Sequence, residues 1–254
     1  MSVNSSGLSQ ISRIAIASIL AVALLASAVV ISFSDNANAA DGAVSAKKST
    51  VLGADASLRG ALCPQSCSAL AIVSGFQAEV DGDSSPYRVP FDGNVTKWMI
   101  ALGKPSASQR DFFEARFGVA PKAGIGVIRP RTVAGKKEYK LVKRSPVIGL
   151  NRYLGDVAAI PLEKKLAVKK GDFIVLTVPT WAPALASRTL PNPANPNRPL
   201  PDLNYSWRAS RDRTVCAKSP NMKNSQPQMK INSTVPYGCR FTSAQLLYRV
   251  KITN

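Results

Sequence analysis

The sequence predicts an all-β fold: an antiparallel β-sandwich with one short helix and long proline-rich loops, behind an apolar N-terminal signal or anchor helix. Three observations lead there. Apolar residues recur with period two from Ser68 onward, seven prolines crowd the stretch from Pro179 to Pro201, and no charge interrupts Ile14 to Phe33. Period two is the signature of a strand with one face toward a core, because successive side chains point to opposite faces.

The uncharged run comes first along the chain. At about 1.5 Å per residue it spans about 30 Å as a helix, the hydrocarbon thickness of a bilayer. Arg13 supplies a positive flank, and Ala37-Asn38-Ala39 fits the small-x-small pattern of signal cleavage. Cleavage after Ala39 leaves a chain starting at Ala40. The run is also longer than the usual signal core of about 7–15 residues, which is the argument for an uncleaved anchor. Both readings place the rest of the chain outside the cytoplasm, either released or tethered to the membrane through that helix. The predicted organisation is therefore 1–39 as signal peptide or membrane anchor, 40–67 as a flexible lead-in, and 68–254 as the sandwich. The lead-in rests on Ala, Ser, Lys and Gly without periodicity.

Within 68–254 the strand signals follow one another. Phe76, Ala78 and Val80 alternate with Gln77 and Glu79; Trp98, Ile100 and Leu102 alternate with Lys97, Met99 and Ala101. Tyr139, Leu141 and Lys143 follow a turn at Gly135, and Phe173, Val175 and Thr177 follow a turn at Gly171. Leu246, Tyr248, Val250 and Ile252 form the clearest strand. One helix is predicted over Gln109–Phe117, capped by Ser108 and ended by Gly118, with Phe113 and Phe117 on one face. Proline cannot donate to a sheet ladder, so Pro179 to Pro201 reads as an extended surface excursion, with strand character resuming over Tyr205–Ala209.

Composition limits function. The net charge is +18, and Arg13 and Asp35 cancel within the first forty residues, so all of it belongs to the exported part. Such charge attracts polyanions, more weakly as salt rises. Export and the lack of a recognition motif argue against nucleic acid as partner. The four cysteines suit two disulfides in an oxidising compartment. Three pairings are open, of which Cys63–Cys67 with Cys216–Cys239 is the simplest. The chain has no histidine, so no Ser-His-Asp or Cys-His centre and no His-ligated metal can be built. The carboxylates show no spacing that singles out a glycosidase pair, and the expectation is a protein that is not an enzyme.

Two sets of candidate site residues remain. Asp81 and Asp83, with Asp92 further on, form the one oxygen-rich cluster, and they are the candidates for a calcium site; no other cofactor is expected. As an EF-hand loop the segment fails, because Pro86 stands where glycine is required and Asp92 replaces the closing Glu. Trp181, Tyr205, Trp207 and Tyr237 are the candidate aromatics on which a glycan would stack, whereas the alternation at Trp98 places that ring in the core. The expected function is binding of cell-wall glycan or anionic polymer at the envelope or outside the cell. A carbohydrate-active enzyme and a purely structural surface protein are the alternatives.

Several segments in order resemble a broad group of uncharacterised secreted bacterial β-sandwich proteins. They are Val89-Pro90-Phe91-Asp92-Gly93-Asn94-Val95-Thr96-Lys97-Trp98, the basic strand Tyr139 to Arg144, Leu162 to Leu166, and Val168 to Leu176 with its Gly171-Asp172 turn. The resemblance covers roughly 70–254 and implies a jelly-roll-like topology. It carries no activity, since such folds host many functions.

Overall fold

The computed structural model describes residues 47–53, 61–216 and 226–254. The predicted signal or anchor segment 1–39 and the start of the lead-in lie outside the described residues. Among those described, no helix is long and apolar enough to cross a membrane.

In chain order the strands begin with β1 (Ser49–Leu52), β2 (Leu70–Val80), β3 (Asp83–Ser84) and β4 (Gly93–Ala101), followed by the helix α1 (Ala107–Phe117). Next come β5 (Lys122–Val133), β6 (Lys136–Arg144), β7 (Ile148–Gly149), β8 (Val157–Val168) and β9 (Phe173–Ala182). Short strands β10 (Leu185–Ser187), β11 (Thr189–Leu190) and β12 (Leu200–Pro201) precede β13 (Ser206–Ala209) and β14 (Thr234–Val235). The chain closes with β15 (Cys239–Thr242), β16 (Ala244–Leu246) and β17 (Tyr248–Thr253).

The all-β, antiparallel expectation holds. β1-β17-β4-β8 form a four-stranded sheet, and a nine-stranded sheet runs β14-β6-β5-β9-β2-β13-β15, with β3 on β2 and β7 on β5. The main core draws Trp98, Ile100, Tyr248 and Val250 from the smaller sheet and Ile125, Val127, Ile174 and Leu176 from the larger one. Each large side chain buried there contributes roughly 1.5–3 kcal/mol. The aromatic cluster Phe76, Tyr139, Phe173 and Tyr237 builds a second core with Ile128, Leu141 and Val175. Adjacent residues of β9 thus enter different cores, and the strand is buried along Phe173 to Val178 on both faces. That explains its unbroken apolar run.

Four expectations need correction. Ser49–Leu52, read as flexible lead-in, is a strand whose ladder to β17 pairs Thr50 with Ile252 and Leu52 with Val250. The predicted surface excursion starts too early, because Pro179 lies inside β9 and Trp181 pairs with Ala71. A bulge opposite Ile72 shifts the register there, which is where a residue without an N–H is tolerated. Gln77, assigned to a wet face, is fully buried, its amide donating to the Glu79 and Ala244 carbonyls and its Oε1 accepting from Leu246 N. Finally, the helix begins at Ala107 with Ser106 rather than Ser108 as its cap. Ser106 Oγ accepts from Gln109 N and Gln109 Oε1 accepts from Ser106 N, a reciprocal capping box. Gly118 ends α1 as expected, and Phe113 and Phe117 stack on one face, 6.4 Å between centroids.

The disulfides pair Cys63 with Cys67 and Cys216 with Cys239. The second closes a separation of 23 residues, and by chain entropy such a closure contributes about 3 kcal/mol. A Cys216→Ser/Cys239→Ser variant is expected to lose that amount in urea unfolding, while Cys63→Ser/Cys67→Ser, closing a separation of 4, loses less.

Candidate functional site

The site grows out of β13, which lies between β2 and β15. Its sequence Ser206-Trp207-Arg208-Ala209 alternates, so neighbouring residues serve opposite faces of the sheet. The register sets Arg208 opposite Phe76 on β2 and opposite Arg240 on β15, so the three share one face. On the other face Trp207 stands opposite Gln77 and Phe241.

The arginine face opens into a bowl of about 350 Å³. Its floor is Phe76, Tyr139 and Phe173, with centroids 5.1 Å apart for Phe76–Phe173 and 5.5 Å for Phe76–Tyr139. Around it stand Lys137, Arg208, Arg240 and Glu79, with Ser84 and Ser85. Arg240 is held in place: Nη2 donates to Glu79 Oε2 at 2.5 Å and Nε to Ser206 Oγ at 3.0 Å. Arg208 Nη1 donates to the Tyr237 carbonyl at 3.3 Å, and Lys137 Nζ sits 5.6 Å from the Tyr139 ring centre. Among the described residues, three cations therefore face one carboxylate. Like charges directly opposite on adjacent strands are destabilising, so the Arg208–Arg240 pair costs stability. The partly exposed Glu79 offsets little of that. An anion placed between two such guanidinium groups would relieve that repulsion and accept charge-assisted hydrogen bonds.

Another groove, of about 570 Å³, contains Arg129, Lys143 and Lys169. There Arg129 is already neutralised: Nε and Nη2 reach the two Asp172 oxygens at 2.7 and 2.9 Å. Hydrogen bonding to Asp172 raises the Arg129 pKa further. Asp172 also accepts from Lys169 N and is buried, so this pair is a structural knot at the turn before β9.

The predicted aromatic residues do not share a surface. Trp181 and Tyr237 are fully buried, so neither ring offers a face to a sugar. Trp181 packs on Phe113 at 5.1 Å and donates from Nε1 to the Gly118 carbonyl, while the Tyr237 hydroxyl donates to Gln228 Oε1. The neighbouring prolines do not expel Trp181, because it is still in β9. Trp207 is 7% exposed and stacks on Phe241 at 4.8 Å. Tyr205 is half-buried with the Arg188 guanidinium 5.1 Å above its ring.

The calcium candidates are likewise dispersed. Asp81 and Gly82 form the tip of the β2–β3 hairpin, both at positive φ (49° and 83°), as a tight primed turn requires. Asp83 is exposed on β3, and Asp92 accepts from Lys170 N at 2.7 Å. Among the described residues, no three His, Cys, Asp or Glu side chains come together in a metal-holding group.

Burial pushes the Tyr87, Tyr237 and Tyr248 phenols far above their ordinary pKa. The chain matches no protein-family model, no curated protein and no solved structure.

Proposed function

We propose that this is an exported, non-enzymatic protein of the cell envelope or its exterior, whose β13 bowl binds an anionic envelope polymer. A glycan chain bearing phosphate or carboxylate groups is the fitting ligand class. The observation that carries the reading is the bowl itself, in which Lys137, Arg208 and Arg240 surround an aromatic floor against the single carboxylate of Glu79. The net charge of +18 supports long-range attraction of such a polymer. Both disulfides fit an oxidising compartment, and the apolar run Ile14 to Phe33 supplies the export address. On this reading the two sheets form a jelly-roll-like sandwich, and one face of the larger sheet presents the site.

Sedimentation with insoluble anionic cell wall tests the proposal. Retention is expected at low salt, falling as salt rises, with an uncharged glucan retaining little. Equal retention on charged and uncharged polymer would contradict it.

A further inference from the structure

The opposite face of the same three strands holds a different kind of cavity. It is a cleft of about 420 Å³ with walls from Leu70, Val73, Leu185, Trp207 and Phe241. That volume lies within the range of about 300–1,000 Å³ usual for small-molecule sites. Arg211 and Ser243 bring polar groups to the same cleft, next to Cys216 of the second disulfide.

Two of the lining residues carry an unusual burden. Trp207 Nε1 and Ser243 Oγ are buried and have no hydrogen-bond partner among the described residues. A buried polar atom left unpaired costs roughly 1–3 kcal/mol, and native structures hold few of them. Both atoms belong to residues that line the cleft, so an occupant of the cleft would stand beside two donors that lack partners. Ser243 also holds φ at 56°, a left-handed conformation disfavoured for a residue other than glycine. Trp207 itself is fixed: one side stacks on Phe241, and its six-membered ring lies so close to Gly75 that a Cβ there would stand 2.8 Å from it. The indole is therefore a rigid wall with a donor, not a free stacking platform. At one side Arg211, with its guanidinium partly withdrawn from water, supplies positive charge.

We infer that this cleft is a second binding site, for a small amphiphile with an apolar body and an anionic head, of the medium-chain carboxylate type. The body lies against Leu70, Val73 and Leu185. The head lies toward Arg211, within reach of the indole N–H and the Ser243 hydroxyl. The inference does not depend on the bowl, since Trp207 and Arg208 point to opposite faces.

The test is titration of the intact protein with decanoate, followed by tryptophan fluorescence and calorimetry. Saturable binding is expected at a single site, with decanol weaker because it lacks the charge. Trp207→Phe combined with Ser243→Ala, which removes both donors, is expected to weaken decanoate at least about tenfold, a loss of about 1.4 kcal/mol or more. Ala69→Phe, which fills the cleft from a partly exposed position, is expected to abolish binding with the melting temperature preserved. Absence of saturable decanoate binding below its micelle-forming range overturns the inference. So does undiminished binding in folded Ala69→Phe, and decanol binding as tightly as decanoate overturns the role given to Arg211. Arg208→Ala with Arg240→Ala is expected to bind decanoate normally, which separates this site from the polymer reading.

Discussion

Replacing Trp181 with alanine is expected to lower the unfolding free energy by about 4 kcal/mol and the melting temperature by about 10 °C. The ring is fully buried and packs against Phe113, Ala71 and the Phe117 side of α1. Phe113 is the one fully buried residue of α1, and its ring packs on Trp181, with Phe117 against the same cluster. Truncation leaves a cavity there and removes the donor to the Gly118 carbonyl at the helix C-cap. The local consequence is separable from the global one: amide exchange protection over Ala107–Phe117 should fall further than protection in β9 or β17. Equal loss across all three would show that Trp181 stabilises the core without specifically anchoring α1.

The second large effect is expected at Gln228, where alanine should cost about 3 kcal/mol. The side chain is a buried staple: Nε2 donates to the Tyr139 and Ser233 carbonyls, and Oε1 accepts from the Tyr237 hydroxyl. Its own backbone N donates to Ser74 Oγ, which also shares a hydrogen bond with Thr177 Oγ1. The network pins the segment before β14 over the Phe76–Tyr139–Phe173 cluster. Gln228→Ala removes one of the two side-chain partners of the fully buried Tyr237 hydroxyl, leaving it Ser74, so adding Tyr237→Phe should restore part of the loss. Strict additivity of the two changes in urea unfolding would refute the coupling. Because Arg208 donates to the Tyr237 carbonyl, loosening this segment should also weaken binding in the bowl.

Local pattern carried much of the fold. The alternation Tyr248, Val250, Ile252 against Arg249 and Lys251 reads directly as a strand with one buried face, and all three apolar residues are fully buried. The failures arise where long-range structure overrides local signals. Pro179 announces a break, yet a bulge lets β9 continue to Ala182. Gln77 looks solvent-facing until β16 covers it and takes up its hydrogen bonds. Ser49–Leu52 has no periodic signature of its own and becomes a strand because β17 offers a free edge. The bowl was illegible for the same reason. Phe76, Arg208 and Arg240 come from distant parts of the sequence, and only the order β2-β13-β15 makes them neighbours. The one local signal is the alternation Trp207-Arg208, in which the arginine takes the face opposite the more conspicuous tryptophan.

The central claim is that the bowl, rather than net charge spread over the surface, binds the anionic polymer. The most direct measurement compares two double variants of equal net charge by calorimetry against one soluble anionic polysaccharide at fixed salt. Arg208→Ala with Arg240→Ala removes the opposed pair, while Lys164→Ala with Lys165→Ala removes two exposed cations of β8 that do not line the bowl. The account predicts at least about tenfold weaker binding for the arginine variant, a loss of about 1.4 kcal/mol, and little change for the lysine variant. Equal weakening in both would contradict it and leave the charge as a diffuse surface property.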